Sequence, residues 1–163
     1  MSVLTSEAGG LPIGLWLAVA SLAIDIVLGV AGQTLSVVAW DKALAWRLQE
    51  DDPNSSDPMQ RAFFAAEWGT ALTDAIVQSI AIALALYGIF AQHWIGLLGG
   101  TVIFTILVYT GLTNFLRCYA IKLWRLGDWT HWRSVAIFYL ILAETMGLIG
   151  FVGLWSNWRY FLG

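Results

Sequence analysis

Apolar residues in this chain do not alternate with polar ones, nor do they form a single stripe on otherwise polar helices. They run almost without interruption in four stretches, Pro12–Trp40, Arg61–Ala91, Trp94–Arg117 and Ser134–Trp155. At about 1.5 Å per residue each is long enough to cross about 30 Å of hydrocarbon as a helix. The polar positions between them supply the stops. Asp57, Pro58 and Gln60 make a helix start, with an acid at the cap, proline at the first position and an amide three residues after the cap. Helix 3 is expected to end near Gly127, with Asp128 or Thr130 capping helix 4, and FAQHW is a tight link between helices 2 and 3. The first half of the longest connection extends helix 1 towards Glu50, and DDPNSSDP is a solvated acidic turn without EF-hand spacing. The fold expected is an all-α integral membrane protein of one domain, 1–163, with helices near 12–40, 58–91, 94–126 and 130–155 packed as a four-transmembrane-helix bundle.

Polar residues inside the apolar runs carry the candidate chemistry. Asp25 lies 13 residues past Pro12 and Asp74 lies 13 past Arg61, about 20 Å along a helix in each case. Glu144 lies 10 residues past Ser134, about 15 Å in. Three acids on three helices therefore reach one level of the bilayer, with Glu67 nearer the interface. Glu67, Thr70, Ala71, Asp74 and Gln78 form one face of helix 2. Ser21, Asp25, Gly29, Gly32 and Ser36 form one face of helix 1, where small residues permit close helix approach. Helix 4 presents Glu144, Gly147 and Gly150. Helix 3 offers Thr101, Thr105, Tyr109 and Thr113 at i+4 steps, with Thr110 and Asn114 alongside.

No Lys, Arg or His shares that depth. Ionised carboxylates gathered in hydrocarbon are prohibitively costly, so at most about one of the three is charged unless a cation joins them. The others hold a proton and bond to Gln78, Thr105 or Tyr109. The candidate proton- or cation-binding set is therefore Asp25, Asp74, Glu144, Gln78, Thr105 and Tyr109, with Glu67 and Asn114 secondary. Against this stands a purely structural role, in which neutral acids link helices by hydrogen bonds.

Composition and charge fix orientation and exclude several classes. The chain has 163 residues, 59% hydrophobic and 12% charged, where soluble domains carry about a quarter charged. Lys42, Arg47 and Arg61 fall in the first loop, and Arg117, Lys122, Arg125 and Arg133 between helices 3 and 4; the opposite side has Arg159. That asymmetry puts both loops in the cytoplasm and both termini outside, in a cell or plasma membrane. Trp40, Trp46, Trp124, Trp129 and Trp132 gather at one boundary and Trp16, Trp94, Trp155 and Trp158 at the other, as headgroup-level indoles do. Trp68 falls inside a span. The N-terminus lacks the basic region of a cleaved signal. A net charge of −3 argues against nucleic acid. A single cysteine, Cys118, rules out an internal disulfide and CxxC chemistry. His93 and His131 fall at interfaces, and haem, Rieske and di-iron ligand sets are missing, so no cofactor is expected.

AETMG, Ala143–Gly147, resembles the alanine–glutamate–x–x–glycine signature of small multidrug-resistance transporters, whose glutamate binds protons and cationic drugs. Here it covers five residues and falls on the last helix rather than the first, and membership does not follow. DIVLGVAG and ETMGLIG share an acid followed by two glycines, too short a likeness to define a repeat. Three functions remain. The chain is a small proton- or cation-linked transporter or channel, a homo-oligomer in the bilayer; or a non-catalytic subunit or assembly factor of a larger membrane complex; or an intramembrane enzyme acting on lipid, for which no nucleophile–base pair is present.

Overall fold

The computed structural model describes residues 3–46, 49, 52–123 and 129–162. The chain is mostly helical. A two-residue hairpin, β1 (Glu7–Ala8) with β2 (Leu11–Pro12), precedes α1 (Ile13–Asp25), a π-helical segment (Ile26–Val30), α2 (Ala31–Val38), α3 (Trp40–Ala45), α4 (Pro58–Ala91), α5 (Ile95–Leu123) and α6 (Trp129–Trp155). Three helices are long and apolar enough to cross a membrane, Ile13–Val38, Gln60–Ala91 and Ile95–Leu116, the pattern of a membrane protein. The described apolar part of α6 is Leu140–Trp155. The expected helix end at Gly127, the Asp128 cap, Trp124 and Arg125 lie outside the described residues, as do Arg47, Glu50 and the side chains of Cys118, Thr130, His131 and Arg133.

The chain divides into two compact units, one of residues up to Leu22 together with those from Ala81 onward, the other Ala23–Ile80. In the first, α5 and α6 pack along most of their length through glycines. A Cβ on Gly147 would stand 3.0 Å from the Phe104 carbonyl and 2.7 Å from Val108 Cγ2, and one on Gly150 would run into the Phe104 ring. In a bilayer, where lipid is as apolar as leucine, such close approach supplies the van der Waals contact that holds helices together. Gly88 and Gly96 bring the end of α4 against the start of α5 in the same way, backbone on backbone. The turn between them places Gln92 at φ 51, and the His93 N–H donates to the Gly88 carbonyl at 2.9 Å, which closes the helix end as a Schellman motif. His93 Nδ1 then accepts from the Ile95 N–H at 3.3 Å. Buried Asn157 donates through Nδ2 to Gly153 at 2.8 Å and to Leu4 at 3.2 Å, tying the chain's two ends together, and Trp16 Nε1 donates to Ala8 at 2.7 Å.

In the second unit the first span departs from an unbroken helix running towards Glu50. The Ala31 N–H donates to Ile26, five residues back, which inserts one extra residue into the helical ladder. The helix then stops at Val38, because Ala39 takes φ −149 and ψ 60, and α3 starts anew. Such a stop strips carbonyls of their partners. That of Val37 is recovered by Trp68, whose Nε1 donates to it at 3.2 Å, so the tryptophan inside a span has a structural task. Trp40 packs edge-on against Phe64 with centroids 4.8 Å apart, and Gln49 Nε2 donates to buried Ser36 at 3.1 Å. In the acidic turn the Asn54 N–H donates to Asp52 Oδ1 at 2.8 Å, the Asp57 N–H to Ser55 Oγ at 3.1 Å and Arg61 Nη1 to the Ser55 carbonyl at 2.7 Å. α4 begins directly after it.

Candidate functional site

α1 delivers Asp25 at its last residue, where the ladder widens into the π segment. Gly29, one turn further on, lies within the widened stretch. A Cβ there would run into Asp25 Oδ1 and stand 3.2 Å from Gln78 Oε1. The missing side chain thus leaves a notch that the Asp25 carboxyl and the Gln78 amide oxygen share. The sequence pattern assigned Gly29 to close helix approach; its space is taken by a carboxylate of its own helix and an amide of α4.

Both side chains are removed from solvent, Asp25 at 2% exposure and Gln78 at 3%. Asp25 Oδ2 and Gln78 Oε1 have no hydrogen-bond partner among the described residues. Each such orphan acceptor costs about 1–3 kcal/mol. Two oxygen acceptors that border one space also repel one another.

Asp74 lies one turn before Gln78 on α4, half-buried, close enough for its charge to act on Asp25. Glu67, two turns earlier and half-buried, acts in turn on Asp74. Glu67, Asp74 and Gln78 therefore form a graded row from the Pro58 end of α4 to the buried pair. Between Ala62 and Ile80, and between Ala23 and Val38, no Lys, Arg or His interrupts it. Among the described residues no group of three His, Cys, Asp or Glu side chains is placed to hold a metal ion.

The other candidates fall in the first unit. Glu144 is half-buried on α6 and leans on α5, with its Oε1 3.4 Å from where a Gly111 Cβ would stand. Thr105 is exposed, Tyr109 is 69% exposed and Asn114 is half-buried. Glu144, Thr105, Tyr109 and Asn114 share no side-chain hydrogen bond among the described residues. The face that α5 turns to α6 is instead Phe104, Val108 and Gly111. Residues the sequence did not mark for the site are the ones around Gly29, because a π turn has no signature in hydropathy; a glycine four residues after a buried acid was the available hint.

Comparison with protein-family models, with curated proteins and with solved structures gives no match for this chain.

Proposed function

We propose that this is a small polytopic membrane protein that moves protons or cations by way of its intramembrane acids. The observation that carries the reading is the pair Asp25–Gln78. It consists of two buried acceptors in otherwise apolar spans, Asp25 Oδ2 and Gln78 Oε1, that have no hydrogen-bond partner among the described residues, with no basic residue in Ala23–Val38 or Ala62–Ile80. Ionisable groups at that depth are expensive and serve ion or proton pathways more often than packing. The row Glu67, Asp74, Gln78 supplies a stepwise approach to the pair, and Glu144, Thr105 and Tyr109 belong to the wider candidate set. In this reading α6 makes a fourth crossing, the four helices form a bundle, both termini lie outside, and the basic loops face the cytoplasm of a plasma membrane.

A second reading, a non-catalytic subunit or assembly factor of a larger membrane complex, is favoured by the hydroxyl row on α5. Thr105, Tyr109 and Thr113 are all exposed, and hydroxyl groups facing outward from a span are suited to bonding a neighbouring helix.

The test is proton or cation flux in reconstituted vesicles, comparing the native protein with Asp74→Asn, which keeps size and hydrogen-bonding capacity while removing the titrating group. Flux reduced at least about tenfold, with thermal stability unchanged, is expected. Equal flux removes Asp74 from the pathway, and no flux in either protein under any gradient shifts the assignment to the subunit reading.

A further inference from the structure

We infer that the species held between Asp25 and Gln78 is a single proton, not a metal cation. In this state the Asp25 carboxyl is a neutral acid whose O–H donates to Gln78 Oε1 across the Gly29 notch. This rests on the proposed reading of the pair as a functional site and names its occupant.

The number of oxygens decides between the two occupants. A hard cation stripped of water asks for about six oxygen ligands. The notch is bordered by Asp25 Oδ1 and Gln78 Oε1, with Asp74, one turn from Gln78 on α4, as a third side chain at best. No third acid or histidine joins them among the described residues. A proton needs only two acceptors within reach of one another, and Asp25 Oδ1 and Gln78 Oε1 both border the notch. Adding it satisfies Gln78 Oε1 and cancels the only charge Asp25 would carry into hydrocarbon.

The two spans that carry the pair offer no basic counter-charge. In Ala23–Val38 and Ala62–Ile80 the titratable side chains are Asp25, Glu67 and Asp74. All are acids: Asp74 repels a negative Asp25, and Glu67 repels a negative Asp74. Proton transfer from this state runs between carboxyls. The O–H bond of Asp25 breaks, the electron pair stays on the Asp25 oxygen, and the proton passes to the Asp74 carboxylate, which in turn can hand it to Glu67. One negative charge moves the opposite way along α4, and no other reactant is consumed. Gly29 acts as a positioning residue, since a Cβ there would run into Asp25 Oδ1 and force the carboxyl to shift.

The full-length protein in lipid nanodiscs, studied by infrared difference spectroscopy, tests this directly. The carbonyl stretch of a protonated carboxyl is expected at neutral pH. It should shift in heavy water, vanish in Asp25→Asn, and move to the frequency of a weaker hydrogen bond in Gln78→Leu. Sodium or potassium chloride at saturating concentration should leave it in place at constant pH. Gly29→Ala should move the band as Gln78→Leu does, and if that variant does not fold, Gln78→Leu carries the comparison alone. Absence of a band assignable to Asp25, or its loss on adding the metal salt, overturns the inference. Parallel flux measurements separate this from the wider reading. A band without flux upholds the proton and rejects transport, whereas metal-driven flux without a band upholds transport and rejects the proton.

Discussion

Replacing Gly150 by alanine should destabilise the protein, and shrinking Phe104 should rescue it. A Cβ on Gly150 falls 2.5 Å from Phe104 Cδ1 and nearer still to the ring edge beyond, so the ring must retreat by about an ångström to restore ordinary contact. It has nowhere to go. Phe104 is fully buried, and Gly147, one turn earlier on α6, already stands against its carbonyl. Overpacking of this kind costs about 1–3 kcal/mol, and the middle of that range, about 2 kcal/mol, is expected for Gly150→Ala. Phe104→Leu alone loses ring contacts without any transfer term, because lipid replaces water as the alternative surroundings, and should cost about 1 kcal/mol. Together the two changes should cost about 1 kcal/mol rather than their sum, a coupling of about 2 kcal/mol, inside the range seen for residues in contact. Reversible unfolding in mixed micelles, with all four proteins of the cycle, measures it. Gly32→Ala is the control: nothing lies within 4 Å of its added methyl, and helix propensity favours alanine by up to about 1 kcal/mol. Additive effects of Gly150→Ala and Phe104→Leu, to within about 0.5 kcal/mol, would refute the contact and with it the register of α5 against α6.

Gln92→Gly should stabilise the turn by about 1 kcal/mol, because φ 51 strains any residue with a Cβ; unchanged unfolding would show that the turn adopts another conformation. Trp40→Ala and Phe64→Ala should couple by about 0.5–1.5 kcal/mol in a double-mutant cycle, as an edge-on aromatic pair does. Trp68→Phe keeps the ring but removes the donor to the Val37 carbonyl, and should cost about 1 kcal/mol with faster hydrogen exchange around Ala39. For topology, a cysteine placed at position 55 in a Cys118→Ser background should resist impermeant thiol reagents applied to intact cells; labelling from outside would reverse the orientation proposed from the basic loops.

Hydropathy made the apolar helices legible, since a long uncharged run admits few other structures in a bilayer. The buried acids were legible as well, because a carboxyl within such a run is rare enough to stand out. Two things were not. The course of the first helix was one: the π turn at Ile26–Val30 and the stop at Ala39 break the run expected to continue towards Glu50 without altering the hydrophobic pattern. Facing was the other. The i+4 row Thr105, Tyr109, Thr113 reads the same whether it points inward or outward, and in a chain surrounded by lipid the outer faces are as apolar as the inner ones. Hydropathy therefore carries no sign for direction. Packing at Gly147 and Gly150, a matter of volume rather than polarity, decided which side of α5 meets α6. The same blindness hid the part Gly29 plays, whose missing side chain leaves the space that Asp25 and Gln78 border.

Only Gln92, His93 and Trp94 separate the end of α4 from the start of α5. During synthesis such a pair reaches the bilayer almost as one object, because three residues are too few to leave the first helix in place while the second waits elsewhere. With Gly88 and Gly96 already in backbone contact, the two segments can enter as a preformed hairpin. Glu67, Asp74 and Gln78, all on the leading arm, would then be carried into lipid by a neighbour that is itself uncharged from Ile95 to Leu116. The turn that looks like a mere connector is, for the ribosome and the insertion machinery, the point at which two marginal decisions become one.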